Sequence, residues 1–426
     1  MEFIESLKNY LDQDFIDDLL ISLKENKVSS LLLNTNKISN QIFLEEFKVL
    51  EPSKYIKNAY YYDPQKYQFG KSYLFDNGAY YIMDISSMMS PSFFKLNKND
   101  LVLDMCAAPG GKTIFLALNN PSCYIVANDI SFKRALNLSS NIERMGLSNV
   151  MVTFNDFKNN YLNFKERFDA ILLDAPCSGS AMFRKNELVK EDWSYQKVLN
   201  LQIEQKELIK EAIFMLKDGG ELIYSTCSFS YEEDEEVIQY ALDSFLEMEL
   251  IDINNDPSFF ESNKLKGTIH LFPNRFKGEG QFIAKMRKKG SKILKNSDSK
   301  KEFKPSDYDL KYRLDFRFKN IINNEVYESS VPFYDKRIHI LRNGLDVGLI
   351  KKDIFIPSFH LAHYLSTDKS IKLTEEQKIK YIHGDIIEIS EDLDGFFLVS
   401  YKGINLGFIK AFKGKGKNYY PKGLRH

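Results

Sequence analysis

At the N-terminus apolar residues recur at helical spacing. Phe3, Ile4, Leu7, Tyr10 and Leu11, then Phe15, Leu19, Leu20 and Leu23, predict one or two amphipathic helices up to about Lys27. Val28–Leu33 predicts a strand and Asn40–Phe47 a helix, so the chain opens with a small α+β unit. The stretch from Tyr60 to Phe94 is rich in aromatics. Within it Gly78–Met88 predicts a strand and then a helix start, with Ser86 or Ser87 near the N-cap. From about Lys98 to Met286 the pattern changes to short apolar runs alternating with helical periodicity. Strands are predicted at Val102–Asp104, Tyr124–Asp129, Val150–Phe154, Ala170–Leu173 and Glu221–Ser225. Helices are predicted at Thr113–Leu118, Lys133–Met145 and Val198–Leu216, with Lys217–Gly220 as a helix C-cap and turn. Such alternation predicts an α/β, doubly wound, mainly parallel sheet. In these sheets ligands sit at the C-terminal ends of the strands.

Beyond Met286 the pattern fades. Lys288–Ser306 is polar, Lys-rich and punctuated by Pro and Gly, which predicts a linker. After it, Arg313–Ile322 and then Val331–Phe412 hold β-like runs such as Arg337–Leu341, Asp385–Ile389 and Phe396–Ser400. A small β-rich module is expected. The last stretch, Lys413–Arg425, has five basic residues, two tyrosines and no acid. That mixture suits phosphate contact and base stacking, and equally a solvated tail. The expected division is therefore 1–90, an α+β unit; 91–288, the α/β domain; 289–308, the linker; and 309–426, a β-rich region.

Net charge is −1, so no whole-molecule field draws the chain to nucleic acid, and such binding must come from local patches. The four cysteines, Cys106, Cys123, Cys177 and Cys227, form no CxxC pair. That is a poor disulfide framework and a poor zinc site, and it fits a reducing, cytoplasmic setting. The acidic, amphipathic N-terminus does not read as a signal peptide. No apolar run approaches the ~18–20 residues of a membrane span, so no membrane partner is expected. His360 and His363 sit at i, i+3, but they read as surface or packed histidines, and no metal is expected.

The stretch Leu101–Thr113, LVLDMCAAPGGKT, is where strand, small-residue turn and helix meet. This layout brings a ligand to bare N–H groups at a helix N-terminus. A P-loop needs Gly where Cys106 stands, and Pro109 removes an N–H that a phosphate cradle would use. The G-x-G-x-x-G spacing of dinucleotide sites is absent as well. Asp129, after the second strand, is placed to hold ribose hydroxyls, and Asp156, after the third, to meet an adenine edge. Acids at successive strand ends (Asp104, Asp129, Asp156) favour S-adenosylmethionine as the cofactor.

The fourth strand leads into Asp174-Ala-Pro-Cys177-Ser-Gly and the fifth into Tyr224-Ser-Thr-Cys227-Ser. Asp174, Cys177 and Cys227 thus share the sheet edge with the loop. Two cysteines there suggest thiolate chemistry. Methylation at C5 of a pyrimidine needs this set. C5 is a poor nucleophile until a thiolate adds to C6, and a carboxyl group such as Asp174 at N3 stabilises the charge that develops. Chemistry alone does not decide which cysteine attacks.

These motifs resemble those of the RNA (cytosine-5) methyltransferases of the Nop/Sun (RsmB/RsmF) family, and RsmF-like rRNA enzymes in particular. The matches are Asp104–Thr113, Asp174–Gly179, Met182–Lys185, Tyr224–Ser228, Glu232–Glu235 and, upstream, Gly78, Asp84 and Ser86–Met88. The resemblance implies a Rossmann-like catalytic domain with Cys227 as nucleophile, Cys177 as the helper in product release and Asp174 in the pocket. It implies an S-adenosylmethionine site made of Cys106, Ala107, Ala108, Pro109, Gly110, Gly111, Lys112, Asp129, Arg134, Asp156 and Asp174. It also implies a PUA-like C-terminal module. Ser180-Ala181 replaces the usual Glu-Gly, Asn274 a usual His and Met83 a common Gln, which touches substrate contacts more than the reaction. The expected substrate is small-subunit rRNA, free or within the subunit, with a monomeric enzyme and no DNA. The alternatives are a tRNA cytosine-5 methyltransferase and an RNA-binding assembly factor without turnover.

Overall fold

The computed structural model describes residues 2–425 apart from 49, 160, 292–317, 323–324, 330–336, 353 and 366. The expected linker lies outside the described residues from 292 onward.

The N-terminal unit is built from helices α1 (Phe3–Leu7), α2 (Gln13–Ser22), α3 (Asn40–Glu46), α4 (Tyr73–Asp76) and α5 (Ile85–Ser92). Its strands β1 (Ser30–Leu33), β2 (Glu51–Pro52), β3 (Ala59–Tyr61) and β4 (Tyr80–Ile82) form an antiparallel sheet in the order β2-β3-β1-β4. Asp12 and Ser39 cap α2 and α3 by accepting from the backbone N–H of Phe15 and Ile42. At α5 the cap is Asp84, whose carboxylate accepts from Ser86 N–H, rather than the serines expected from sequence. A carboxylate is among the strongest N-caps, and here it also complements the helix dipole.

The central domain carries β5 (Leu101–Asp104), α6 (Gly111–Asn119), β6 (Tyr124–Asn128), α7 (Phe132–Met145), β7 (Val150–Thr153) and β8 (Phe168–Asp174). It continues with α8 (Glu187–Glu191), α9 (Tyr195–Met215), β9 (Leu216–Thr226), α10 (Glu235–Ser244), β10 (Met248–Ile251), β11 (Ile269–His270) and β12 (Phe282–Lys288). Strands β5 to β9 are parallel, in the order β9-β8-β5-β6-β7, and β12 and β10 extend the sheet antiparallel beyond β9. The parallel strands are apolar because helices cover both faces. Val102, Ile125, Val152, Leu172 and Ile223 face the layer with α5 to α7. Their neighbours Leu103, Val126, Met151, Ile171, Leu222 and Tyr224 face α9 and α10. This alternation is the period of two of a pleated strand. The expected turn at Lys217–Gly220 falls within the first half of β9, where the register with β8 shifts and Gly219 has φ 71°.

The C-terminal region forms two sheets. Strands β13 (Phe318–Ile322) and β14 (Glu325–Ser329) join β16 (Leu345–Lys351) and β17 (Ile354–Pro357) in one. Strands β18 (Ile371–Lys372), β19 (Ile387–Glu388), β20 (Gly395–Tyr401), β21 (Ile404–Phe412) and β22 (Lys415–Asn418) make the other, with helices α11 (Phe359–Tyr364) and α12 (Glu375–His383). One run expected in this module belongs elsewhere. Strand β15 (Ile340–Asn343) pairs antiparallel with β7 and closes the open edge of the central sheet. Ile338 packs into the central core, and Asn155 Oδ1 accepts from His339 N–H at 2.8 Å. An unpaired parallel edge leaves backbone groups unsatisfied, which explains the capture of this strand. Both histidines of α11 are tied to the central domain. His360 Nε2 lies 3.1 Å from Glu143, and His363 is buried beside the C-terminal Gly146 of α7.

The basic tail is not a solvated one. Lys415–Asn418 is strand β22, and Tyr420 is 1% exposed in a core with Tyr381, Leu406 and Ile409. Tyr420→Ala is expected to destabilise this module by about 3–5 kcal/mol, as other buried aromatic truncations do. The measurement is the urea midpoint, and a change under about 0.5 kcal/mol would place Tyr420 at the surface.

Candidate active site

Five chain segments meet at the C-terminal edge of the central sheet. The first is the turn after β5. Asp104, fully buried, ends the strand and accepts from Thr113 Oγ1 of α6 at 2.6 Å. Burial pushes its carboxyl up to about 7 against the opposing pull of that hydrogen bond. The turn is pinned from outside: Ala107 N–H donates to Asn128 O, Asn141 Nδ2 to Pro109 O and Arg134 Nη2 to Ala108 O. Gly110 has φ 109°, and a Cβ there would sit 2.8 Å from Leu138 Cδ1, so only glycine lets α6 start so close to α7. The Cys106 thiol is pushed well up by burial and by the acids around it, which makes it a packing residue rather than a nucleophile.

The second and third segments follow β6 and β7. Asp129 is buried and accepts from Ser131 N–H at 3.0 Å, with the exposed Arg134 3.2 Å from its other oxygen. That oxygen, Asp129 Oδ2, and Asp104 Oδ1 are buried and accept no hydrogen bond. The orphaned Asp104 oxygen and an Asp129 oxygen met only by the ion pair to Arg134, both beside a helix N-terminus, fit a ligand with hydroxyl or ammonium hydrogens. Asp156 is exposed at the rim and accepts from Lys158 N–H, so it does not share this buried cluster.

The fourth and fifth segments carry the sulfurs. Asp174 ends β8 and gathers three partners: Lys112 Nζ at 2.8 Å, Ser225 Oγ at 2.8 Å and Gln281 Nε2 at 3.1 Å. Cys177 and Cys227, both half-buried, face each other with Sγ to Sγ at 3.1 Å. The hydrogen bond between the two sulfurs draws the Cys227 thiol down, assisted by the charge of Lys112. The same bond, together with burial, pushes Cys177 up. The two thiols are thus pushed in opposite directions, Cys227 toward the thiolate and Cys177 toward the thiol.

Sequence reasoning named Lys112, Asp174 and both cysteines, and they lie together. It missed Ser225 and Gln281. Ser225 stands two residues before Cys227, on a strand where alternate side chains share a face. No local signal marks Gln281. It reaches Asp174 only because β12, itself not predicted, pairs with β9 so that Phe282 opposes Thr226. Behind the site Ser86 Oγ accepts from Gly280 N–H, and Asp84 accepts from Glu279 N–H. Arg184 grips Glu279 at 3.1 Å. The upstream motif therefore holds the segment that delivers Gln281. The N-terminal helices back the other side, with Leu7, Tyr10, Phe15 and Ile16 packed on Ala181, Phe229 and Phe272. His270, Asp234 and Glu235 form a buried group at the start of α10, with His270 Nε2 3.0 Å from Glu235. A helix N-terminus favours the carboxylates and opposes a cation, so this group reads as an internal hydrogen-bonded cluster.

Comparison with known proteins agrees across the chain. Residues 1–84 match the family described as the N-terminal domain of 16S rRNA methyltransferase RsmF. Residues 91–287 match 16S rRNA methyltransferase RsmB/F, and residues 368–426 match the methyltransferase RsmF PUA domain. The ribosomal RNA small subunit methyltransferase F of Shewanella piezotolerans is 30% identical, covering 99% of this chain and 96% of its own. A methyltransferase homolog protein from Pyrococcus horikoshii is 29% identical with a TM-score of 0.57, covering 67% of this chain and 93% of that one. NSun6 from the same organism, solved with SFG, an analogue of S-adenosylmethionine, has a TM-score of 0.59 at 23% identity. It covers 68% of this chain and 98% of that one, and it bears on the fold alone.

Proposed function

The chain belongs to the RsmB/F family of 16S rRNA methyltransferases, and from that premise we propose that it methylates C5 of a cytosine in small-subunit rRNA through a covalent bond between Cys227 and C6. The observation that carries this reading is the pair of sulfurs 3.1 Å apart, with Asp174 at the same sheet edge. Bound S-adenosylmethionine supplies an electrophilic methyl group on a sulfonium centre. Its place is the turn Cys106–Lys112, where Asp104 Oδ1 and Asp129 Oδ2 have hydrogen-bonding capacity to spare. Asp129 takes the ribose hydroxyls, and Arg134 holds both Asp129 and the turn. Asp156, at the rim, serves the adenine edge.

Cys227 Sγ adds to C6 of the cytosine, and electron density moves through the ring toward N3. Asp174, in its carboxylic-acid form when the base is bound, stabilises that density by giving a proton to N3 and takes it back when Cys227 leaves. Lys112 and Ser225 keep the carboxyl in place until the base arrives. C5, now enamine-like, would attack the methyl carbon of the bound donor, whose S–CH3 bond breaks with the electron pair staying on sulfur in the demethylated thioether. A base then takes the C5 proton, the electron pair of that C–H bond re-forms C5=C6, the C6–S bond breaks, and Cys227 leaves as the thiolate, with Cys177 assisting this release.

RNA must also be held outside the pocket. On the C-terminal module Lys410, Lys415, Lys417, Phe412 and Tyr419, with Ile386 and the single acid Asp394, line a groove of about 590 Å³. Phe412 is 58% exposed there, and cations interleaved with rings suit phosphates and unstacked bases. The N-terminal unit is assigned to docking rRNA, the region from 309 onward to holding it, and the protein is expected to act as a cytoplasmic monomer.

The test is transfer of a tritiated methyl group from S-adenosylmethionine to 16S rRNA, to small subunits and to tRNA, with bisulfite sequencing of the labelled RNA. Label as 5-methylcytosine in the rRNA or the subunit is expected. Label in tRNA alone would redirect the substrate, and no label in any RNA would leave a binding factor. Asp129→Ala is expected to weaken S-adenosylmethionine binding by about 2 kcal/mol, roughly 30-fold, by removing a charge-assisted acceptor. Isothermal titration reads this, and an unchanged affinity would move the ribose elsewhere.

A further inference from the structure

Glu233 lies six residues after Cys227 and has no exposed surface. Among the described residues no lysine or arginine lies within ion-pair distance of its carboxylate. It is instead satisfied by four donors. Oε1 accepts from Ser178 N–H at 2.8 Å and Gln205 Nε2 at 3.0 Å. Oε2 accepts from Ser178 Oγ at 2.5 Å and Ser228 Oγ at 2.6 Å. Burying a carboxylate is costly unless its lone pairs are filled, and here they are.

The identity of the donors matters more than their number. Ser178 follows Cys177, and Ser228 follows Cys227. Gln205 of α9 also donates to Pro176 O, on the other side of Cys177, at 2.8 Å. The two hydroxyls lie 3.2 Å apart, just as the two sulfurs lie 3.1 Å apart. One carboxylate thus ties together the turns that present both cysteines. Its own backbone is fixed in turn, because Glu233 O accepts from Tyr224 Oη of β9 at 2.7 Å and Glu233 N–H donates to Ser230 O at 3.0 Å. An amide in its place offers one acceptor oxygen and cannot receive all four donors.

We infer that Glu233 is the positioning residue of the reaction: its carboxylate locks the Cys177 and Cys227 turns to one another and so sets the spacing of the two sulfurs. It touches neither RNA nor S-adenosylmethionine and acts only through the two serines. The inference rests on the roles of the cysteines given above. Misplacing a reacting group by about 1 Å costs on the order of 100-fold in rate.

The experiment uses the full chain with Glu233→Ala and Glu233→Gln. For Glu233→Ala kcat is expected to fall about 100-fold while KM for S-adenosylmethionine stays within about 2-fold, because Asp104, the turn Cys106–Lys112 and Asp129 follow β5 and β6, not the strands that lead into the cysteine turns. Glu233→Gln, which keeps one acceptor, is expected to retain more of kcat than Glu233→Ala. The rate at which diamide joins Cys177 and Cys227 as a disulfide, itself taking up both thiol protons and two electrons as the hydrazine, reads the sulfur spacing without any catalysis. That rate is expected to fall about 10-fold in Glu233→Ala. If Glu233→Ala does not fold, Ser178→Ala and Ser228→Ala carry the same comparison. Unchanged kcat and diamide rates overturn the inference. So does a parallel loss of kcat, KM and thermal midpoint with glutamine no better than alanine. A wild-type chain that forms no covalent adduct with RNA containing 5-fluorocytosine overturns the cysteine roles instead, whatever the diamide rates are.

Discussion

Cys227→Ala is expected to abolish methyl transfer, with a loss on the order of 10⁴-fold or more, because the reaction has no second route to a C5 nucleophile once the attacking thiolate is gone. The case for Cys227 is electrostatic as well as positional. The hydrogen bond between the sulfurs and the positive charge of Lys112 hold its thiol below the ordinary range, while the same bond and burial hold that of Cys177 above it. At neutral pH the thiolate fraction then concentrates on Cys227. Alkylation by iodoacetamide should therefore label Cys227 ahead of the other three cysteines as pH rises toward 7. Binding of S-adenosylmethionine should be unchanged in Cys227→Ala, because the orphaned oxygens of Asp104 and Asp129 belong to other strands. The turn should survive too, since Ala181 N–H bonds to the backbone oxygen of residue 227. Tritium transfer to rRNA is the measurement. Activity within about 10-fold of wild type would show that Cys227 is not the nucleophile.

The sheet was legible where one physical cause dominated. Strands buried on both faces must be continuously apolar, and Val102–Asp104 and Tyr124–Asp129 read that way, so the alternating order followed from period and length alone. The loop was legible because small residues, Pro109 and Gly110 can be needed together only where backbone passes close to something else. What was not legible depends on long-range pairing. Strand β12 contains Lys285 and Lys288, which hide its periodicity, yet Lys285 is satisfied by Glu221 and Phe93 O, and Lys288 by Leu216 O. Without that pairing Gln281 has no visible relation to Asp174. Strand β15 was assigned to the wrong sheet for the same reason, since a short β-prone run does not announce which open edge it will close. Tyr420 was ambiguous because a Lys- and Gly-rich context looks solvated until the ring meets Tyr381.

Cys177→Ala is expected to leave the first half of the reaction running and to stall the second, so that the protein accumulates as a covalent complex with its RNA. Attack needs only the Cys227 thiolate, which Cys177 assists by donating a hydrogen bond. Losing that donor should raise the Cys227 thiol toward its ordinary value of about 8.5, so adduct formation should slow at pH 7 and recover as pH rises past that value. Release is different, because the C5 proton must leave before the C6–S bond can break, and no other protonated or basic sulfur lies within reach of Cys227 among the described residues. The trapped species should appear as a ribonuclease-sensitive band of reduced mobility in denaturing gels, in proportion to methylated RNA and with less than one turnover per enzyme. The double variant Cys177→Ala/Cys227→Ala should show no band, since the bond being trapped is the one to Cys227. If Cys227→Ala traps RNA while Cys177→Ala is inert and adduct-free, the two roles are exchanged. The donor geometry at 3.1 Å would then have to be read in the opposite direction, with Cys177 as the thiolate.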